Sequence, residues 1–371
     1  MNTSTNQKAC ALSSQKNIFI VLTLGIVALG GCVADTEQDD SVGGEEETSS
    51  SSDEIIGGTN VSQQYPEAVT IDMSRTGTTA FCSGVLIAPM VVLTAGHCVD
   101  GFTSWTVKVG TESRTTTSKA IYDWTSGGSL NPLQHDVAVL FLNSPIWLRF
   151  YPTIAQTAVA ANTPVTNVGR IHNGVTSEMW GAHVYDLNDG SIIGAPPPYS
   201  GSTFAFDYSA TRVLEPGDSG GPVFLKDAEP HRIVAINSGG GTLGNGMSIE
   251  LLARVDLVKS WITQQIAAHP AQAPTDAQVS CVFNWAEINY PNLFAPRAPG
   301  VLLDYPPYKY RPYPGTNSNL GAAWSNGNSP SVGAASPNVN YPVKHVYYMG
   351  PSGAIEDYGT VGYWMKQANC L

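Results

Sequence analysis

Apolar residues in this chain come mostly in short runs, with Gly, Asn, Pro and Thr clusters between them. Val85-Leu86-Ile87, Met90-Val91-Val92-Leu93, Trp105-Thr106-Val107-Lys108-Val109, Val137-Ala138-Val139-Leu140-Phe141, Pro222-Val223-Phe224-Leu225 and Ile233-Val234-Ala235-Ile236 each have the length and composition of a strand. Many short strands with few helical periods predict an all-β architecture, a sandwich or a pair of barrels. One stretch differs: Leu257, Val258, Trp261, Ile262 and Ile266 fall at helical spacing and predict a helix over Leu257 to Ala267.

The pattern also marks segments outside this region. Ile18 to Leu29 is a largely apolar run of twelve residues preceded by Lys8 and Lys16, too short to span a bilayer and flanked like a secretory signal. Leu29-Gly30-Gly31-Cys32 resembles the bacterial lipobox, which makes 1–31 a lipoprotein-type signal peptide and Cys32 the acylated first residue of the mature chain. Residues 32–54 form an acidic, Ser-rich tether with little to bury. Residues 55–267 hold the strand-rich domain, 268–278 is an Ala, Pro and Gln linker, and 279–371 is a module rich in Tyr, Pro and Asn. In that module Tyr310-Arg311-Pro312-Tyr313-Pro314-Gly315 and His345-Val346-Tyr347-Tyr348-Met349-Gly350 look like two similar strand-turn units.

Charge and cysteines refine this division. The net charge of -12 is concentrated in the tether, where Asp35, Glu37, Asp39, Asp40, Glu45, Glu46, Glu47, Asp53 and Glu54 stand without a single Lys or Arg. Thirty acidic residues less those nine leave 21, and 18 basic residues less Lys8 and Lys16 leave 16. The balance of -5 from Ile55 onward gives no reason to expect a nucleic-acid partner. Cys10 leaves with the signal and Cys32 carries lipid. Cys82, Cys98, Cys281 and Cys370 remain, an even number suited to an oxidising compartment. Three pairings are possible, and the one that keeps each bridge within one proposed domain joins Cys82 to Cys98 and Cys281 to Cys370.

The candidate chemistry centres on Glu215-Pro216-Gly217-Asp218-Ser219-Gly220-Gly221-Pro222. A serine between glycines suits a hydroxyl that protrudes from a tight turn while the backbone approaches a substrate carbonyl. Such a serine needs a neutral histidine to take its proton and a carboxylate to orient that histidine. Leu93-Thr94-Ala95-Gly96-His97-Cys98 and His135-Asp136-Val137-Ala138-Val139-Leu140 supply candidates for both upstream.

In that order these motifs resemble the chymotrypsin-like (trypsin-fold) serine endopeptidases. The match rests on Ile55-Ile56-Gly57-Gly58, Thr94 to Cys98, Asp136 to Leu140 and Gly217 to Pro222, with support from Asn167-Val168-Gly169-Arg170 and Ala253-Arg254-Val255. The resemblance implies two six-stranded antiparallel β-barrels, a cleft between them and a C-terminal helix. It implies Ser219 as nucleophile, His97 as general base and acid, and Asp136 as the group that fixes the histidine tautomer. The oxyanion hole would be the backbone N–H groups of Gly217 and Ser219. Cys82 with Cys98 matches the family's bridge beside the histidine. Activity is expected to climb as His97 loses its proton, at about pH 6 to 7.

The family's fresh N-terminus pairs its ammonium with the aspartate before the nucleophile. Here that pair is Ile55 with Asp218, so the chain is expected to be a zymogen cut between Glu54 and Ile55 by another protease. With no cysteine in the tether after Cys32, the same cut would release the enzyme from its membrane anchor. Specificity departs from the family pattern. Val213 stands at the base of the primary pocket, where trypsin-like members place an aspartate. Glu215 replaces a frequent cysteine, and Ser238-Gly239-Gly240 lacks the family's aromatic. Counting back from Ala253-Arg254-Val255, Glu250 falls on a strand at a position that in this family faces the pocket. An inward Glu250 would accept a basic P1 side chain; an outward one would leave an apolar pocket lined by Val213.

The expected partners are protein or peptide substrates and an activating protease, and the enzyme is expected to be an exported monomer that needs no metal or cofactor. Two rivals compete. Gly217 to Gly221 formally fits the nucleophile elbow of an α/β-hydrolase, but strand rather than helix follows Ser219, and the later His231, His269 and His345 have no matching context. The second rival is a catalytically inactive protease-fold binding protein. In the C-terminal module, Trp285, Trp324 and Trp364 suit either a core or a binding surface.

Overall fold

The computed structural model describes residues 59–60, 63–125, 131, 133–170, 184–192, 203–209, 214–228, 230–242, 246, 248–289, 303–305, 308–310, 321–325, 345–349 and 355–371. The signal, the tether, Cys32, Ile55 and Val213 lie outside these residues, as does most of the Tyr310 to Gly315 unit.

After the two-residue β1 (Thr59–Asn60) the chain builds its first sheet from β2 (Ala68–Arg75), β3 (Thr78–Ala88), β4 (Val91–Thr94), β5 (Ser104–Val109), β6 (Glu112–Thr116), β7 (Ser118–Ile121) and β8 (Ala138–Phe141). The strand order is β6-β5-β2-β3-β4-β8-β7. β6 and β7 are two halves of one stretch broken at Thr117. Because one half pairs with β5 and the other with β8, the sheet curls into a barrel of six strands in effect. Period-two alternation aims Ile71, Met73, Trp105 and Val107 inward, and β3 is buried on both faces over its second half.

The second sheet follows from β9 (Thr153–Ile154), β10 (Thr163–Arg170), β11 (Val184–Ile192), β12 (Phe204–Ser209), β13 (Pro222–Leu225), β14 (Arg232–Thr242) and β15 (Ser248–Arg254). Its order is β1-β11-β10-β13-β14-β15-β12, with β9 beside β14. Without the two short strands this too is a six-stranded antiparallel set, and its end strands β11 and β12 lie side by side. The all-β, two-barrel reading therefore holds. The helix α1 (Lys259–Ala268) closes it, burying Val258, Ile262 and Ile266, whereas Leu257 is 45% exposed and plays no part in the apolar face.

Beyond α1, Thr275 and Gln278 form a reciprocal cap: the Gln278 backbone N–H donates to the Thr275 hydroxyl (3.2 Å) and the Thr275 N–H donates to Gln278 Oε1 (2.9 Å). This starts α2 (Asp276–Asn289) inside the segment expected to be linker. A five-stranded antiparallel meander follows: β16 (Leu303–Tyr305), β17 (Tyr308–Tyr310), β18 (Gly321–Ser325), β19 (His345–Met349) and β20 (Ile355–Thr360). The chain then ends on α3 (Val361–Gln367). The Cys281–Cys370 disulfide ties α2 to the residues just after α3, and the two helices share a small core of Val282, Ala286, Val361 and Met365. Trp285 and Trp364 pack against that core with ring centroids 6.0 Å apart, so both serve packing.

α3 docks on the first barrel. The Thr360 hydroxyl donates to Leu148 O (2.6 Å), the Thr360 N–H donates to Arg149 O (2.9 Å), and Lys366 pairs with Glu112 at 2.5 Å. Trp147 lies so close to Gly362 that a Cβ there would come within 2.0 Å of its ring. The segment that receives the helix is shaped by Tyr151, whose buried hydroxyl donates to Ile146 O (2.8 Å) and accepts from the Leu148 N–H.

Candidate active site

The turn from Gly217 to Gly221 lies where the two sheets meet, and its shape follows from its glycines. Gly220 has φ +83°, and a Cβ there would fall 2.2 Å from Thr94 Oγ1 and 2.3 Å from Ser83 O. The backbone is held from both sides. The Ser83 N–H donates to Ser219 O (2.7 Å), Gly220 N–H donates to Asn237 O (2.7 Å), and Asn237 N–H donates to Gly221 O (2.8 Å). Within the turn, Asp218 N–H donates to Glu215 O (3.1 Å) and Gly221 N–H to Asp218 O (2.9 Å). The N–H groups of Gly217 and Ser219 make no hydrogen bond among the described residues. They are the two named in the sequence as oxyanion donors.

His97 follows β4 and Asp136 precedes β8, and those strands pair directly, with Thr94 opposite Ala138. That pairing brings the two side chains together across 39 residues. Asp136 is fully buried. Its Oδ1 accepts the His97 backbone N–H (2.8 Å), and its Oδ2 lies 2.7 Å from His97 Nδ1. A third bond comes from the Ser238 hydroxyl at 2.5 Å. Three donors on one buried carboxylate hold it in place and fix the imidazole with Nδ1–H toward Asp136 and Nε2 free to accept a proton.

Burial is the largest influence on His97 and disfavours its charged form. The charge of Asp136 and the hydrogen bond to it together outweigh burial, and the imidazole is held above its ordinary value of 6.5. Ser219 is 1% exposed, and its hydroxyl has no hydrogen-bond partner among the described residues. His97 Nε2 lies 3.7 Å from Cys98 Sγ, and the same sulfur lies 3.6 Å from Ser219 O, so histidine and serine flank one disulfide. The structure thus gathers His97, Asp136 and Ser219 in one place while the serine–histidine hydrogen bond is unmade. Cys82, His97 and Cys98 also cluster within 4.8 Å, but the two sulfurs are bonded to each other and so offer no thiolate to a metal.

Around the pocket, Glu250 is fully buried on β15, opposite Gly240 of β14. Its Oε1 accepts the Leu214 N–H at 3.4 Å, and a Cβ on Gly240 would lie 2.6 Å from its Oε2. The carboxylate is therefore turned inward, between the segments that carry Leu214 and Gly240. Ser238, which the resemblance also places among the pocket residues, gives its hydroxyl to Asp136. Asp218 is fully buried with Oδ2 accepting the Glu215 N–H at 2.9 Å, and its expected partner Ile55 is not among the described residues. Sequence reasoning missed the roles of Ser238, Ser83 and Asn237, whose partners lie far away in the chain. A cavity of about 710 Å³ lies apart from this site, lined by residues including Glu67, Trp147, Arg149, His231 and Tyr363, and no triad candidate reaches it.

Comparison with known proteins identifies the family. The family model described as Trypsin matches residues 55–262. Chymotrypsin-like elastase family member 1 of Bos taurus is 27% identical over 244 residues, covering 58% of this chain and 90% of that protein. Trypsin iota of Drosophila melanogaster is 25% identical over 262 residues, covering 66% and 96%. Among solved structures, one titled "HL collagenase structure at 1.7A resolution" aligns with a TM-score of 0.46 and 16% identity, over 56% of this chain and 96% of that one. With more than half its length matched by that family model, and its motifs folded around one buried carboxylate, the chain belongs to the trypsin family, as a serine peptidase.

Proposed function

We propose that this protein is an exported serine endopeptidase working through His97, Asp136 and Ser219. The observation that carries the reading is the fully buried Asp136, which accepts both the backbone and the ring N–H of His97 beside the nucleophile turn. On substrate binding, when catalytic hydrogen bonds tighten, His97 Nε2 takes the Ser219 proton and Ser219 Oγ attacks the scissile carbonyl. The developing oxyanion is received by the N–H groups of Gly217 and Ser219, each worth on the order of a hundredfold in rate. His97 then protonates the leaving amine, and water releases the acyl group by the same steps in reverse. Asp136 holds the tautomer and stabilises the imidazolium.

The inward position of Glu250, opposite Gly240, supports a preference for Lys or Arg at P1, because a carboxylate on that side of the pocket attracts a cationic side chain. In this reading residues 1–31 direct export, Cys32 carries the lipid, and cleavage between Glu54 and Ile55 frees the enzyme and supplies the ammonium for Asp218. Residues 55–267 form the peptidase, and 279–371 form the appended module. Two disulfides among the described residues suit an oxidising compartment.

Labelling with a fluorophosphonate before and after cleavage at Ile55 tests the reading. Wild type is expected to react after cleavage and Ser219→Ala not at all, with peptidase activity following the label. A cleaved wild-type chain that stays unlabelled leaves only a protease-fold binder. Profiling P1 Lys, Arg, Phe, Leu and Glu substrates tests Glu250, and Glu250→Gln is expected to erase the basic preference; apolar preference in the wild type would overturn that assignment.

A further inference from the structure

Two buried side chains outside the triad hold successive carbonyls of the nucleophile turn. From β3 the Ser83 hydroxyl donates to Gly217 O at 2.8 Å. From β14 the Asn237 Nδ2 donates to Asp218 O at 3.3 Å. Ser83 is fully buried and Asn237 is 1% exposed. A carbonyl oxygen can only accept, so the amide end that faces Asp218 O must be the NH₂. Resting on the peptidase reading above, we propose that Ser83 and Asn237 are positioning residues that aim the oxyanion donors into the cleft.

Peptide planarity couples each carbonyl to the next N–H. In a trans peptide the C=O and N–H point in opposite directions, so a carbonyl fixed on one side fixes the next residue's N–H on the other. Asp218 O is drawn toward Asn237, which turns the Ser219 N–H away from it. Ser83 fixes the next peptide back, between Gly217 and Asp218, whose N–H turns the other way to Glu215 O (3.1 Å). With that carbonyl anchored, the Gly217 N–H is set by the φ of +103° at Gly217, a value only glycine adopts without strain. The carbonyls of Gly217, Asp218 and Ser219 are thus all tied down, by Ser83 Oγ, by Asn237 Nδ2 with Gly221 N–H, and by Ser83 N–H. The N–H groups left over are the two that the reaction needs. Each sheet contributes one of the two side chains, so the hole is assembled only where the sheets meet.

A role confined to stability makes a different forecast for each variant. Asn237 Oδ1 is buried without a hydrogen-bond partner among the described residues, so Asn237→Leu removes an unmet acceptor along with the donor, and its effect on melting should be small. Ser83→Ala deletes a single oxygen. In the cleaved enzyme each variant is expected to lose about tenfold in kcat, with KM changed less than about twofold. A peptide aldehyde, whose adduct places an oxyanion in the hole, should bind about tenfold more weakly. The matching peptide alcohol, which forms no adduct, should bind as before. Unchanged kcat and aldehyde affinity in Ser83→Ala, or equal losses for aldehyde and alcohol, would overturn the proposal even if Asn237→Leu did not fold. A wild type that does not react with fluorophosphonate would instead remove the peptidase reading on which it rests.

Discussion

Two aspartate–histidine pairs sit one residue apart in this protein, with nearly the same bonds. Asp136 accepts the backbone N–H and ring Nδ1 of His97 at 2.8 and 2.7 Å; Asp123 accepts those of His135 at 2.7 and 2.8 Å. Their surroundings separate them. The Asp136 side chain is 0% exposed and gains a third donor from Ser238, whereas that of Asp123 is 36% exposed. His97 faces the disulfide and the nucleophile turn, while His135 meets Tyr122 edge-on at 5.0 Å. Two hydrogen bonds from a histidine therefore do not make a catalytic pair. Exclusion of water strengthens the charge of Asp136, and proximity to Ser219 gives that charge something to act on.

The two pairs should differ most in their response to loss of the carboxylate. Asp136→Asn should lower kcat by about 10⁴, since the amide favours the wrong tautomer, and the matching Asp123→Asn gives the contrasting control. If both variants lost activity equally, burial would not be what separates the pairs. Next in size is Ser238→Ala, which removes the hydroxyl from Asp136 and should cost about tenfold in kcat while leaving Asp123 and His135 untouched. Steady-state kinetics with one peptide substrate measures both.

Because His97 must be neutral to act as a base, its raised value moves the acid limb of kcat/KM above 6.5, towards the upper end of what the sequence suggested or beyond it. In Asp136→Asn the raising influence is gone and burial remains, so an NMR titration of His97 should find it below the ordinary value. For stability the sign is set by the same shift. A histidine raised in the folded state stabilises it at pH below the ordinary imidazole value, and this contribution disappears as pH rises through the His97 value. The smallest expected effect belongs to Asp123→Asn, a change in kcat of less than about threefold, since its partner touches no reacting atom.

Much of this was legible in the chain because chemistry restricts residue choice. A protruding nucleophile demands Gly220, which has neither the φ nor the space for a side chain, and alternating apolar residues dictate strands such as Ser104–Val109. The reciprocal cap at Thr275 and Gln278 was equally readable, with Cys281, Val282, Trp285 and Ala286 at helical spacing behind it, yet the Ala, Pro and Gln composition before it concealed the start of α2. Ser238 was not readable as a partner of Asp136. A serine carries no sign of whether its hydroxyl will face a substrate or a carboxylate 102 residues away.

What the sequence determined alone was local: where strands run, where the turn must be glycine, which side chains are chemically able to attack, relay and orient, and which cysteines remain to be joined. Tertiary structure decided direction and burial. It turned Glu250 inward beside Gly240, set Asp136 rather than Asp123 out of water, seated α3 against Trp147, and brought Ser83 and Asn237 from separate sheets to the carbonyls of one turn. The reason is physical. Residue type fixes what a group can do, but the strength of a charge and the aim of a hydrogen bond depend on what surrounds them, and here those neighbours come from distant parts of the chain.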